Sequence, residues 1–183
     1  MNFAIVGATG NVGRKTVDIL EKSKIKIDKL FLVASKRSLG KTITFKKKNI
    51  KIEALESYNF AKAKITFFAA GSIIAKKWAP IAAKKTIVID NSKYFRMDKN
   101  ISLVVPEVNE KALKIYKKRN IIANPNCSTA QLVLALKPLH DKFLIKRVVV
   151  STYQAVSGAG KAPTDELFNQ TKNFLRGKKV KSK

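Results

Sequence analysis

A single cysteine in 183 residues leaves no internal disulfide to form, which points to a reducing, cytoplasmic setting. No apolar run approaches the roughly 18–20 residues that a membrane-spanning helix requires. The opening MNFAIVGATG is apolar but has no basic flank and no long apolar core, so no secretory signal is expected there. Acids are scarce too: 12 Asp and Glu face 38 Lys and Arg, a formal net charge of +26. Such an excess raises nucleic acid or an anionic membrane as a partner. Arginine suits bidentate phosphate and guanine contacts best, yet only positions 14, 37, 96, 119, 147 and 176 carry it. The lysines are spread over every segment, with local runs only at 46–48 and 178–183. The charge therefore reads as a bias toward lysine rather than as a nucleic-acid interface, and neither a membrane nor a metal site is expected. What is present is a core: 45% of residues are hydrophobic and 8% aromatic, enough to exclude wholesale disorder.

Apolar runs alternate with helical patterns. Strands are expected at 2–6, 30–35, 42–45, 50–55, 65–71, 86–90, 102–106, 121–126 and 146–154. Helices are expected after the first strand, at 73–83 around Trp78 and Pro80, at 109–118 with Asn109 as N-cap, at 127–139, and at 163–176 before Gly177. Near-continuous apolar strands alternating with helices predict a mostly parallel, doubly wound α/β sheet covered on both faces. No internal repeat is visible.

Gly7, Gly10 and Gly13 stand as G-x-x-G-x-x-G between the first strand and the first helix. Glycines there permit a tight bend and close backbone approach, and the helix start offers free N–H groups to a pyrophosphate. An NAD site usually carries an acid at the end of the second strand, for the ribose hydroxyls. This chain has Ser35, Lys36, Arg37 and Ser38 instead. Cations and hydroxyls suit a 2′-phosphate, so NADP is the expected cofactor.

Cys127 follows Asn124-Pro125-Asn126 and opens a helical stretch. A helix start favours an anionic sulfur and supplies N–H donors to an oxyanion. The alternative, an inert buried thiol, is the commoner fate of isolated cysteines. The one histidine, His140, lies 13 residues farther along, roughly 18–20 Å away on a helix. A general base must come within about 3 Å, so His140 is not expected to serve this thiol.

GATGNVG, ASKRSLGK, AAGS, VIDNSKYFRMD, LVVPEVN, IIANPNCST and STYQAVSGAGK occur in this order. Together they resemble the bacterial aspartate-semialdehyde dehydrogenase family over essentially all of residues 1–177. The resemblance implies a Rossmann-like domain and a reaction in lysine, threonine and methionine biosynthesis. It is the NADP-dependent conversion of L-aspartyl 4-phosphate to L-aspartate 4-semialdehyde through a cysteine thioester. Gly7, Thr9, Gly10, Asn11, Val12 and Gly13 match the phosphate turn. Ser35, Arg37 and Ser38 match the 2′-phosphate contacts, and Ser72, Ser157 and Gly158 match further cofactor contacts. Arg96, with Asn126, matches the substrate and phosphate positions, Cys127 the nucleophile, and Gln154 the residue that orients the substrate. Lys93 and Tyr94 depart from the small residues usual after DNS.

The same resemblance divides the chain into a cofactor domain at 1–126, the start of a catalytic and dimerisation domain at 127–177, and a basic, disordered tail at 178–183. The family's chains are roughly twice as long and form homodimers. Their catalytic histidine, substrate arginine and a phosphate-holding lysine match nothing here, so weak or absent turnover by this chain alone is the expectation. Three alternatives stay open: a non-catalytic NADP-binding module, an N-acetyl-glutamyl-phosphate reductase-like enzyme (although Asn126 replaces the glycine usual there), and, on charge alone, a nucleic-acid binder.

Overall fold

A computed structural model describes residues 1–180, which fall into two compact units, Met1–Val148 and Val149 onward. The last three residues of the expected basic tail lie outside the described residues.

The first unit is built on an eight-stranded sheet in the order β3-β4-β2-β1-β5-β6-β8-β7. The strands are β1 (Asn2–Val6), β2 (Lys29–Ala34), β3 (Thr42–Phe45), β4 (Lys48–Ala54), β5 (Ile65–Phe68), β6 (Ile87–Asp90), β7 (Ser102–Leu103) and β8 (Ile121–Ala123). All pairings are parallel except the β3–β4 hairpin. β1 shows why its sequence is apolar from Phe3 to Val6. Ala4 and Val6 face one core with Phe68, Val88 and α2 (Ser72–Ala83), while Phe3 and Ile5 face the other with Val17 and Leu20 of α1 (Asn11–Lys22). Strands buried on both faces cannot alternate with polar residues. Burying Val17 and Leu20 contributes roughly 1.5–3 kcal/mol each, and fixes α1 against the sheet.

The chain runs from β1 to β2 on one side, then returns to place β5 on β1's other side. That reversal opens a crevice at the carboxyl ends of β1 and β5, where open parallel sheets bind ligands.

Three local expectations change. Strand 102–106 shortens to Ser102–Leu103, because Pro106 opens a short helix, α3 (Pro106–Asn109). The helix expected at 109–118 continues as 3₁₀ turns over Glu110–Lys118, and Asn109 does not cap it. The Asn109 amide instead donates to the Leu103 carbonyl (2.9 Å) and accepts from the Val105 N–H (2.9 Å). Ser102 Oγ donates to the Ala112 carbonyl at 2.6 Å. Such side-chain bonds to backbone compete with regular helix. The strand expected at 146–154 pairs with nothing among the described residues and is irregular, with Val149 80% and Tyr153 102% exposed. A valine run favours extended backbone, but a strand exists only where a neighbour completes its ladder.

α4 (Cys127–Phe143) ends the first unit. In the second unit, a 3₁₀ turn at Val156–Ala159 precedes α5 (Lys161–Leu175), which stops before Gly177 at φ +63°. No helix among the described residues is long and apolar enough to cross a membrane.

Candidate active site

The glycine turn leaves β1 at Gly7, whose φ of +86° favours glycine and whose missing Cβ would lie 2.7 Å from the Ala69 backbone after β5. Gly13 is packed as tightly: a Cβ there would stand 2.2 Å from the Gly7 carbonyl oxygen. Gly10 has room, 3.4 Å from that oxygen. The Gly7 N–H donates to the Val33 carbonyl (2.8 Å) and tethers the turn to β2. The first closed turn of α1 runs from the Arg14 N–H to the Gly10 carbonyl (2.9 Å). The N–H groups of Asn11, Val12 and Gly13 thus precede any intrahelical acceptor, as at every helix start. Asn11 and Val12 are exposed.

The loop after β2 closes onto this turn. Thr9 Oγ1 and Ser38 Oγ share a hydrogen bond of 3.3 Å. Ser38 is buried, whereas Ser35 and Arg37 are exposed on the same 3₁₀ turn. Gly71, at φ +83°, leads into α2, of which half-buried Ser72 is the first residue. Beside Gly7 lies a cavity of about 260 Å³ lined by Thr9, Ser35, Glu56, Ile74 and Trp78 among others.

A second cluster occupies the ends of β6 and β8. Arg96 Nε donates to the Asn124 carbonyl (2.9 Å) and its Nη2 to the Asn91 carbonyl (3.1 Å). The Asn124 amide donates to Asn91 Oδ1 at 2.8 Å. Beneath them Asp90 is fully buried. Its Oδ2 accepts from Ser92 Oγ at 2.6 Å, and its Oδ1 has no hydrogen-bond partner among the described residues. Burial pushes the Asp90 carboxyl above the ordinary carboxylate range, while the Ser92 hydrogen bonds and the Arg96 charge pull it back.

Asn126 is the N-cap of α4. Its Oδ1 accepts from the Ser128 N–H (2.9 Å), the Ser128 hydroxyl (2.6 Å) and the Cys127 thiol (3.7 Å). Cys127 is therefore the first helical residue, exposed and not sealed in the core. His140 lies near the other end of the same helix. Three strand spacings separate β1 from β8 in the sheet order, roughly 14 Å.

The first unit thus gathers Gly7, Thr9, Gly10, Asn11, Val12, Gly13, Ser35, Arg37, Ser38, Ser72, Arg96, Asn126 and Cys127 along one carboxyl edge of its sheet. Gln154, Ser157 and Gly158 belong to the second unit, where all three are exposed and Gln154 Nε2 donates to Thr152 Oγ1 at 3.3 Å. Sequence reasoning assigned no site role to Asn91, Asn124, Asp90, Glu56 or Trp78. Asn91 and Asn124 had a usable signal, since each directly follows an apolar strand. Glu56 and Trp78 had none, because their shared cavity depends on nonlocal packing.

Two family descriptions match the chain: "Semialdehyde dehydrogenase, NAD binding domain" over residues 2–116 and "Semialdehyde dehydrogenase, dimerisation domain" over residues 136–183. A protein of Vibrio cholerae named aspartate-semialdehyde dehydrogenase 2 is 50% identical over 96% of this chain and 52% of its own length. The crystal structure of aspartate semialdehyde dehydrogenase II from Vibrio cholerae, complexed with ASA, superposes with a TM-score of 0.95 at 48% identity, over all of this chain and 55% of that one. An aspartate semialdehyde dehydrogenase from Candida albicans, solved with NADP, gives a TM-score of 0.64 at 28% identity, over 78% of this chain and 47% of that one. The chain spans about half the length of the curated relatives it matches.

Proposed function

Since this chain belongs to the semialdehyde dehydrogenase family, we propose that it carries the cofactor crevice and the nucleophile of an aspartate-semialdehyde dehydrogenase, acting in amino-acid biosynthesis. A nicotinamide dinucleotide is the cofactor class the matched domain implies, and NADP is our assignment. The fit rests on the turn itself. Gly7 and Gly13 leave backbone where a Cβ would stand, and the start of α1 presents N–H groups suited to a diphosphate. Thr9, Gly10, Asn11, Val12 and Gly13 would hold the diphosphate, Ser35, Arg37 and Ser38 the 2′-phosphate, and Ser72, Ser157 and Gly158 further parts. When bound, the nicotinamide supplies the hydride for reduction.

The chain's own residues account for the covalent step. The Cys127 sulfur attacks the acyl carbon of L-aspartyl 4-phosphate. A carbon–sulfur bond forms, the carbon–oxygen bond to phosphate breaks, and inorganic phosphate leaves with that bond's electron pair. Cysteine suits this chemistry as a soft nucleophile. Two of the five Arg96 N–H donors are used by the Asn91 and Asn124 carbonyls, and the other three remain for phosphoryl oxygens. Asn126 orients the start of α4, and Gln154 is assigned to the substrate. His140 is roughly 20 Å along α4 from Cys127 and supplies no base there. We therefore assign covalent capture of the acyl group to Cys127, and homodimer formation to the family.

The observation that carries this reading is the exposed Cys127 at the first residue of α4, three positions after the Asn124 carbonyl that Arg96 bonds. Iodoacetamide labelling followed by intact mass tests it. The expected result is one adduct on Cys127, slowed by inorganic phosphate together with NADP and abolished in Cys127→Ser. Labelling indifferent to both ligands would overturn the site.

A further inference from the structure

The cavity beside Gly7 has one ionisable group on its wall, Glu56, an exposed residue at a rim shared with Leu55, Ala70, Ile74 and Trp78. In a chain with 38 cationic side chains, this carboxylate has no ion-pair or hydrogen-bond partner among the described residues. An ionised carboxylate only accepts hydrogen bonds, and it repels phosphate. The cavity is therefore suited to an uncharged group that carries a donor, and its apolar wall, including an indole, suits a flat ring. Its position fixes which end of a dinucleotide that is. Ser35 lies on the same wall, at the start of the loop whose Ser38 bonds to Thr9.

Resting on the dinucleotide reading above, we infer that Glu56 accepts a hydrogen bond from the exocyclic amine of adenine, and that it makes the crevice select a 6-amino purine over a 6-oxo purine. A 6-oxo base would turn an acceptor toward an acceptor and forfeit that hydrogen bond.

Trp78 is the only tryptophan of the chain and lines the same cavity, so its emission reports occupancy directly. The full chain would be titrated with NADP and with the hypoxanthine analogue of NADP, following Trp78 fluorescence. The expected result is that the wild type binds NADP at least ~10-fold more tightly, the scale of one hydrogen bond to a charged group. In Glu56→Gln, whose amide can donate as well as accept, that ratio collapses toward unity. Glu56→Ala collapses it as well, and an unchanged melting temperature in both variants shows that the fold is intact. Equal binding of the two nucleotides by the wild type overturns the inference alone, as does an unchanged ratio in both variants. If neither nucleotide binds the wild type, the dinucleotide reading is overturned, and this inference with it.

Discussion

Arg96 reaches from the loop after β6 to the backbone carbonyl of Asn124 at the end of β8, with Nε 2.9 Å from that oxygen. The same guanidinium bonds the Asn91 carbonyl at the end of β6, so one side chain pins two neighbouring strand ends next to the helix that Cys127 opens. Position and charge are thereby coupled: the cation cannot shift without loosening the backbone that leads to the thiol.

Arg96→Lys keeps the charge but loses the fork that spans both carbonyls. The expected outcome is a roughly 10-fold higher phosphate concentration for half-protection of Cys127, measured by iodoacetamide labelling, with the mass adduct itself retained.

Gly7→Ala combines a left-handed backbone with a Cβ 2.7 Å from the Ala69 backbone. A loss of about 2–4 kcal/mol is expected in urea unfolding. Gly10→Ala, with an opening of 3.4 Å, should cost less than half as much.

Asn126→Ala removes the cap that holds the Ser128 N–H and hydroxyl, at an expected cost of about 1 kcal/mol. Asn126→Asp keeps the cap and its stability. It places a negative charge beside the thiol, so iodoacetamide labelling of Cys127 slows while urea unfolding stays close to wild type.

Asp90 has a carboxyl raised above its ordinary value of 3.8, chiefly by burial. The folded state then binds more protons than the unfolded one, so this group's contribution to stability is complete below that ordinary value and declines as pH rises through the raised one. Asp90→Asn removes the charge and keeps an acceptor for Ser92. Wild-type stability relative to this variant should therefore fall as pH rises from 3.8, read from paired thermal melts across an acid-to-neutral series. A constant difference across that series would refute the assignment.

The β3–β4 hairpin turns through Lys46 (φ +48°) and Lys47 (φ +63°). Both angles suit Asn-Gly better than lysine. Replacing the pair, Lys46→Asn with Lys47→Gly, should raise stability by about 1–2 kcal/mol, checked by urea unfolding.

Much of this molecule was legible in its residues. The glycine turn after NFAIV, the lack of an acid after the second strand and the cysteine behind NPN are short-range patterns, and each needs only neighbouring residues to have physical meaning. The apolar strands announced a sheet buried on both faces for the same reason. The tertiary structure decided what depends on distant partners. The valine run at 146–154 has the composition of a strand and no ladder to join. Asn109 has the chemistry of a helix cap and spends it on the Leu103 and Val105 backbone. Glu56 and Trp78, 22 positions apart in the numbering, meet on one cavity wall because the chain reverses direction about β1. Local stereochemistry writes turns, caps and periodicities into the sequence, whereas hydrogen-bond pairing and cavity walls come from segments that only the folded chain brings together.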